Sequence, residues 1–96
     1  MSKIFIKLYV SGDSLRSRRA ISNLQTFCDR ELAAKSKIEI IDVTKHPEIA
    51  EAEKIIITPT LIRELPLPRE RIVGDLSNTE ILSWLLKATS QSNLNN

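Results

Sequence analysis

The side chains best suited to chemistry in this 96-residue chain are few: one cysteine, Cys28, one histidine, His46, and scattered carboxylates. A dithiol oxidoreductase needs Cys-X-X-Cys at a helix start, where the helix N-terminus lowers one thiol's pKa and the second thiol resolves the mixed disulfide. Cys28 is alone and falls about halfway along an apolar helix face, so it reads as a small buried hydrophobe. His46 precedes Pro47 at an expected helix start, where a capping role suits it, and no Cys/His cluster accompanies it to hold a metal. Asp42 and Asp75 could form a carboxylate pair, but strand-end and turn roles account for them better. Gly12 and Ser14 lack the glycine-rich context of a phosphate loop. No catalytic residue, metal or cofactor is expected.

The basic residues offer recognition rather than reaction. Fourteen lysines and arginines face twelve acids, a balance of +2, which is too small for general nucleic-acid binding. Arg16, Arg18 and Arg19 crowd the first turns of a helix, where positive charge opposes the macrodipole. They suit an acidic partner or a phosphate, or else form a solvated face partly paired with Asp13. Trp84 suits either an interface anchor or partial core burial. The longest apolar runs, such as Ile55 to Ile57, are too short to span a membrane, and no signal peptide is evident. With a single cysteine, a cytoplasmic location is expected.

The elements that position these groups follow from periodicity. Ile4, Ile6, Leu8 and Val10 alternate with Lys3, Phe5, Lys7 and Tyr9 as a strand does. From Leu15 to Ala34, apolar residues at Ala20, Ile21, Leu24, Phe27, Cys28 and Leu32 mark an amphipathic helix. Ile38 to Val43 reads as a second strand, and Pro47 opens a short helix carrying Ile49 and Ala50 inward. Ile55 to Ile62 is extended but interrupted by Pro59. Leu65-Pro66-Leu67-Pro68 is a stiff connection, and Arg71 to Val73 a short strand ended by Gly74-Asp75. Ser77 to Glu80 has the form of a capping box for a last helix, with Ile81, Leu82, Leu85 and Leu86 inward. One domain over residues 1–88 and a polar, frayed tail over 89–96 are expected.

The order βαβαββα is that of the thioredoxin fold, an α/β class. Thr58-Pro59-Thr60 stands where thioredoxins place a cis-proline, and an X-Pro bond is the one that readily tolerates cis geometry. Lys7-Leu8-Tyr9-Val10-Ser11-Gly12, Ile41-Asp42-Val43, Thr58-Pro59-Thr60-Leu61, Leu65-Pro66-Leu67-Pro68 and Arg71-Ile72-Val73-Gly74-Asp75-Leu76-Ser77 together resemble the KaiB family over roughly residues 3–88.

That resemblance implies a non-enzymatic clock regulator that binds a KaiC-like RecA-family ATPase and, in the clock, sequesters KaiA. A related thioredoxin-like domain serves as the sensor of a clock histidine kinase. It also implies metamorphism, with the thioredoxin-like monomer exchanging with a ground-state fold, usually a homotetramer; a homodimer or homotetramer is therefore expected. By position, Lys7, Arg19, Lys54, Arg63 and Arg71 match basic residues that family members use for partner binding. Glu39 and Glu70 depart from that pattern by reversing a charge. They favour an alternative, a KaiB homologue outside a clock, acting in stress adaptation through another protein partner. Leu85 and Lys87 replace a glycine and an aspartate and should favour the closing helix, by roughly 0.8 kcal/mol at the glycine position.

Overall fold

The computed structural model describes residues 3–32 and 35–87. In chain order they form β1 (Ile4–Val10), α1 (Leu15–Glu31), β2 (Ser36–Asp42), α2 (Pro47–Glu53), β3 (Thr60–Leu65), β4 (Glu70–Val73) and α3 (Thr79–Leu86). The strands build one sheet in the order β2-β1-β3-β4. β1 runs parallel to β2 and antiparallel to β3, and β4 is antiparallel to β3. This is the expected βαβαββα arrangement.

Alternation in β1 divides the molecule into layers. Ile6, Leu8 and Val10 point to one face, where they meet Ala20, Leu24, Phe27 and Cys28 of α1 and Leu82, Leu85 and Leu86 of α3. Tyr9 points to the other face and joins Ile41 and Ile62 in a smaller core, with Val43, Ile49 and Ile55 packed against it. One face of the sheet therefore carries two helices and the other only the seven-residue α2.

Local chemistry sets several boundaries away from the expected places. α1 ends at Glu31, with the Leu32 N–H on the Cys28 carbonyl; Ala33 and Ala34, the last residues of the expected helix, lie outside the described residues. The expected extended segment from Ile55 becomes strand only at Thr60, immediately after Pro59, which has no N–H to give a ladder. The α3 cap is Asn78 rather than Ser77. Asn78 Oδ1 accepts from the N–H groups of Glu80 (3.0 Å) and Ile81 (3.2 Å), while the Ser77 N–H donates to Asp75 Oδ1 at 3.1 Å. The reason lies one residue earlier: Leu76 takes φ +64° and is buried, so the chain turns before the helix begins. Ile81, expected inward, is 43% exposed, because the buried stripe runs through Leu82, Leu85 and Leu86. His46 occupies the α2 cap position but its side chain makes no cap hydrogen bond; its Nδ1 lies 3.6 Å from the Glu48 carboxylate.

Thr58–Pro59 is cis, as expected, and so are Leu65–Pro66 and Leu67–Pro68. The Pro59 carbonyl accepts the Gly74 N–H at 2.9 Å, joining the start of β3 to the end of β4. The closing helix is present; Leu85 is fully buried, and Lys87 Nζ reaches Glu31 at 2.9 Å, tying the end of α3 to the end of α1. The polar tail lies outside the described residues.

One buried cation ties the second half of the chain together. Arg63 is 2% exposed. Its Nε donates to the Pro66 carbonyl at 2.9 Å, its Nη1 to the Leu85 carbonyl at 2.6 Å, and its Nη2 to the Pro68 carbonyl. The fork joins β3, the proline segment and the last turn of α3. Replacing it by an apolar chain of similar length strands the buried Leu85 carbonyl at about 1–3 kcal/mol and takes a charged donor from the part-buried Pro66 and Pro68 carbonyls. Arg63→Met should therefore lower stability by about 3 kcal/mol in urea unfolding, with α3 amides losing protection first; a loss below about 1 kcal/mol would contradict the clamp.

Asp42 holds the β1–α1 and β2–α2 turns together. Its Oδ1 accepts the Gly12 N–H (3.0 Å), the Thr44 N–H (2.9 Å) and the Thr44 hydroxyl (2.7 Å). These bonds, the Thr44 hydroxyl foremost, lower its pKa. A depressed carboxylate contributes stability above its unfolded pKa, about 3.9, and that contribution is lost as pH falls through the folded value. Stability should thus decline below about pH 4, less steeply in Asp42→Asn; identical acid profiles would contradict the role.

Candidate functional site

The five basic residues singled out in the sequence do not share one place. Lys7 points to the α2 face of the sheet, as does Arg71, which stands opposite the buried Ile62 of the small core. Lys54 ends α2 on the same face. Arg19 lies on α1, in the opposite layer, and with Arg16 acts electrostatically on Asp75. Arg63, expected on a binding surface, is inside, held by the three carbonyls described above. It shares a face with Leu61, two residues before it, and so points under α3.

Lys54 is presented by an unusual turn. The Ile55 N–H bonds to the Ala50 carbonyl at 2.9 Å and the Lys54 N–H to the Glu51 carbonyl at 3.2 Å, the pair of a Schellman motif. Lys54 takes the left-handed position, φ +59° and ψ +47°, where glycine is the usual residue. Arg71 fixes this turn, donating from Nη2 to the Glu53 carbonyl (3.0 Å) and from Nη1 to the Lys54 carbonyl (3.3 Å). These carbonyls belong to the helix end that otherwise lacks partners. Arg71 is thus a positioning residue for Lys54.

Arg69, which drew no notice in the sequence, braces the same region. Its Nε and Nη2 meet both Glu64 oxygens at 2.9 and 3.0 Å, and Nη2 also reaches Glu53 Oε1 at 2.7 Å. The guanidinium lowers the Glu53 pKa, and the two carboxylates raise that of Arg69. Tyr9 lies buried nearby, its hydroxyl without a hydrogen-bond partner among the described residues; burial first, then the charges of Glu53 and Glu64, raises its pKa.

Beyond Lys54 the chain exposes Ile56 (90%) and Ile57 (54%), while Ile55 packs against the small core. Two neighbouring exposed isoleucines after a fixed lysine form an apolar anchor with a cationic edge, the composition of a protein-docking surface. Lys7 lies along β1 with its Nζ 5.7 Å from the Phe5 ring centre, and Glu39 stands directly opposite it in β2. A groove of about 500 Å³ runs beside them, lined by Lys7, Glu39, Lys45 and His46 over Ile41 and Ile49. The charge reversal at Glu39 therefore lies within this patch. Glu70 lies opposite Arg63 in β4, on the other face.

Redox chemistry has no matching arrangement among the described residues. Cys28 is buried on α1, and burial raises its thiol pKa. The α1 start is built from serines: Ser14 Oγ accepts the Ser17 N–H at 3.1 Å, and Ser17 Oγ accepts the Ser11 N–H at 3.0 Å. No helix among the described residues is long and apolar enough to cross a membrane.

Comparison with known proteins gives a consistent picture. The family model for the KaiB domain matches residues 7–88. The chain is 50% identical over 80 residues to the circadian clock protein KaiB3 of Synechocystis, covering 83% of this chain and 78% of that one. It is 45% identical over 75 residues to the circadian clock oscillator protein KaiB of Thermosynechococcus vestitus, covering 78% of this chain and 69% of the relative. Among solved structures it resembles the N-terminal domain of Synechococcus elongatus SasA, with TM-score 0.72 and 17% identity over 91% of this chain and 87% of that one. It also resembles mitochondrial thioredoxin 3 of Saccharomyces cerevisiae, with TM-score 0.73 and 15% identity over 92% and 80%. At these identities the structural likeness concerns the fold, which is thioredoxin-like.

A left-handed backbone costs an L-residue about 1–2 kcal/mol relative to glycine. Lys54→Gly should therefore raise stability by about 1 kcal/mol in urea unfolding while removing the charge; a destabilised variant would show that the Lys54 side chain, not the turn, holds this corner.

Proposed function

The chain belongs to the KaiB family, and from that premise we propose that it is a non-enzymatic clock-type regulator which docks on a KaiC-like RecA-family ATPase through the α2 face. The observation that carries this reading is the Lys54–Ile57 corner. A lysine is kept in a backbone position better suited to glycine, its carbonyl is clamped by Arg71, and the next residues but one expose isoleucine. Strain retained at a surface corner is characteristic of sites kept for recognition. Lys7 extends the cationic edge along β1. Arg71 and Arg69 act from beneath by holding the corner in place.

The clock-protein names of the relatives support a KaiB-type clock role, and the likeness to the SasA domain fits a shared docking shape. KaiA and a clock histidine kinase are the further partners this reading admits, in the cytoplasm, and exchange with a second fold belongs to the same proposal. Glu39 favours a second reading in which the partner is not a standard clock KaiC. It faces Lys7 across the strands and offsets its charge in the middle of the patch. In that reading the same face serves a KaiB homologue acting in stress adaptation.

The test uses the double variant Lys7→Gln, Lys54→Asn, since asparagine tolerates the left-handed position. Binding to a purified KaiC-like hexamer should weaken about tenfold at low salt, and wild-type binding should itself fall as salt rises. Unchanged affinity would remove this face from the interface. Wild-type chain that ignores the hexamer but retains another protein from lysate through the same two lysines would select the second reading.

A further inference from the structure

β4 pairs with β3 on one side, and among the described residues no strand lies on its other side. Which backbone groups face that open edge follows from one bond. The Gly74 N–H donates to the Pro59 carbonyl at 2.9 Å, and the register that pairs Thr60 with Val73 sets Gly74 opposite Pro59. Antiparallel neighbours alternate between pairs that exchange hydrogen bonds and pairs that turn their N–H and C=O groups away. Glu70 and Ile72 therefore bond toward β3, and Arg71 and Val73 turn their backbone groups outward. Such an edge is a template for another strand. The side chains of these same two residues stand on the α2 face, since they alternate with Ile72, which packs on the main core.

The segment after α2 borders this edge. At one end Arg71 Nη1 holds the Lys54 carbonyl; at the other the Thr60 hydroxyl donates to the Ile57 carbonyl, and Thr60 stands opposite Val73. Ile56, Ile57 and Val73 are 90%, 54% and 54% exposed. The edge is thus apolar at its Val73 end and cationic at its Arg71 end, where the guanidinium bonds neutral carbonyls that leave its charge in place. We infer that β4 takes an extended segment of a protein partner as an added antiparallel strand, with an apolar side chain against Val73 and, two residues later in the partner, an acidic one against Arg71. Antiparallel pairing lets one partner residue meet both backbone groups of each outward residue. The acidic position follows from charge complementarity with Arg71 and Lys54. A four-residue edge binds weakly by itself, so the adjoining α2 face supplies the remaining contact. The inference rests on the α2-face reading for the identity of the partner, and the strand pairing itself does not.

Val73→Pro blocks the edge without breaking the sheet, because the N–H it removes points outward and proline is tolerated there. Binding to a purified KaiC-like hexamer should weaken at least about fivefold in this variant, whereas Val73→Thr, which keeps the N–H, should bind nearly as the wild type does. Circular dichroism and Ile72 amide protection check that both stay folded. A second arm omits the hexamer: a capped Thr-Val-Thr-Asp-Thr peptide is titrated into isotopically labelled wild-type chain. The Arg71 and Val73 amides should shift and exchange more slowly with solvent, and a peptide with lysine in place of aspartate should bind more weakly. A chain that ignores the hexamer but binds the peptide in this way upholds the edge and overturns the proposed partner. Hexamer binding by Val73→Pro equal to wild type overturns the inference and leaves docking on the α2 face standing. A peptide that leaves both amides unmoved overturns the inference whatever the hexamer does. Protection of these amides that grows with chain concentration alone assigns the edge to a second copy and overturns it as well.

Discussion

The thioredoxin-like arrangement of the second half depends on where one guanidinium goes. Arg63 carries a charge into the space between β3 and α3, and among the described residues no carboxylate pairs with it there. Its donors instead meet carbonyls of the proline segment and of the last turn of α3. Prolines cannot donate, and the segment they occupy makes no ladder, so their carbonyls need an outside donor. A planar fork reaches several such carbonyls at once; an ammonium on a flexible stem does so less well. With α3 held in this way, Leu82, Leu85 and Leu86 complete the main core over β1 and β3.

The other face of the sheet is organised by different means. Its core is small, with only Tyr9, Ile41 and Ile62 fully packed and α2 short. Polar braces supply what apolar burial does not: Arg71 on the helix-end carbonyls, and Arg69 between Glu53 and Glu64. Because both braces sit at the edge of α2, they fix the Lys54 turn without covering it. The exposed isoleucines that follow are then displayed on a defined corner rather than folded into the core.

Much of this was legible in the sequence. Period-two alternation in residues 4–10 gives both faces of β1, and three-and-four spacing gives α1. The KaiB-like segments and Pro59 give the fold and the family. The misplacements have specific causes. Arg63 is expected on the binding surface because its position matches a basic residue of the family, but its parity with Leu61 puts it on the core side. Asn78 rather than Ser77 caps α3 because Leu76 turns inward, a tertiary demand that a capping pattern does not contain. Arg69 acts only because residues 53, 64 and 69 converge in space. Ile56 and Ile57 look like strand core by composition, but after the left-handed turn at Lys54 only Ile55 packs on the small core and these two stand in solvent.

The most direct test of the account is an amide and methyl NMR footprint of isotopically labelled chain on adding a KaiC-like hexamer. Signals of Lys7 and of Lys54 through Ile57 should broaden or shift first, with Arg19 and the rest of α1 little changed. A footprint centred on α1, leaving the Lys54–Ile57 corner untouched, would contradict the assignment of the α2 face.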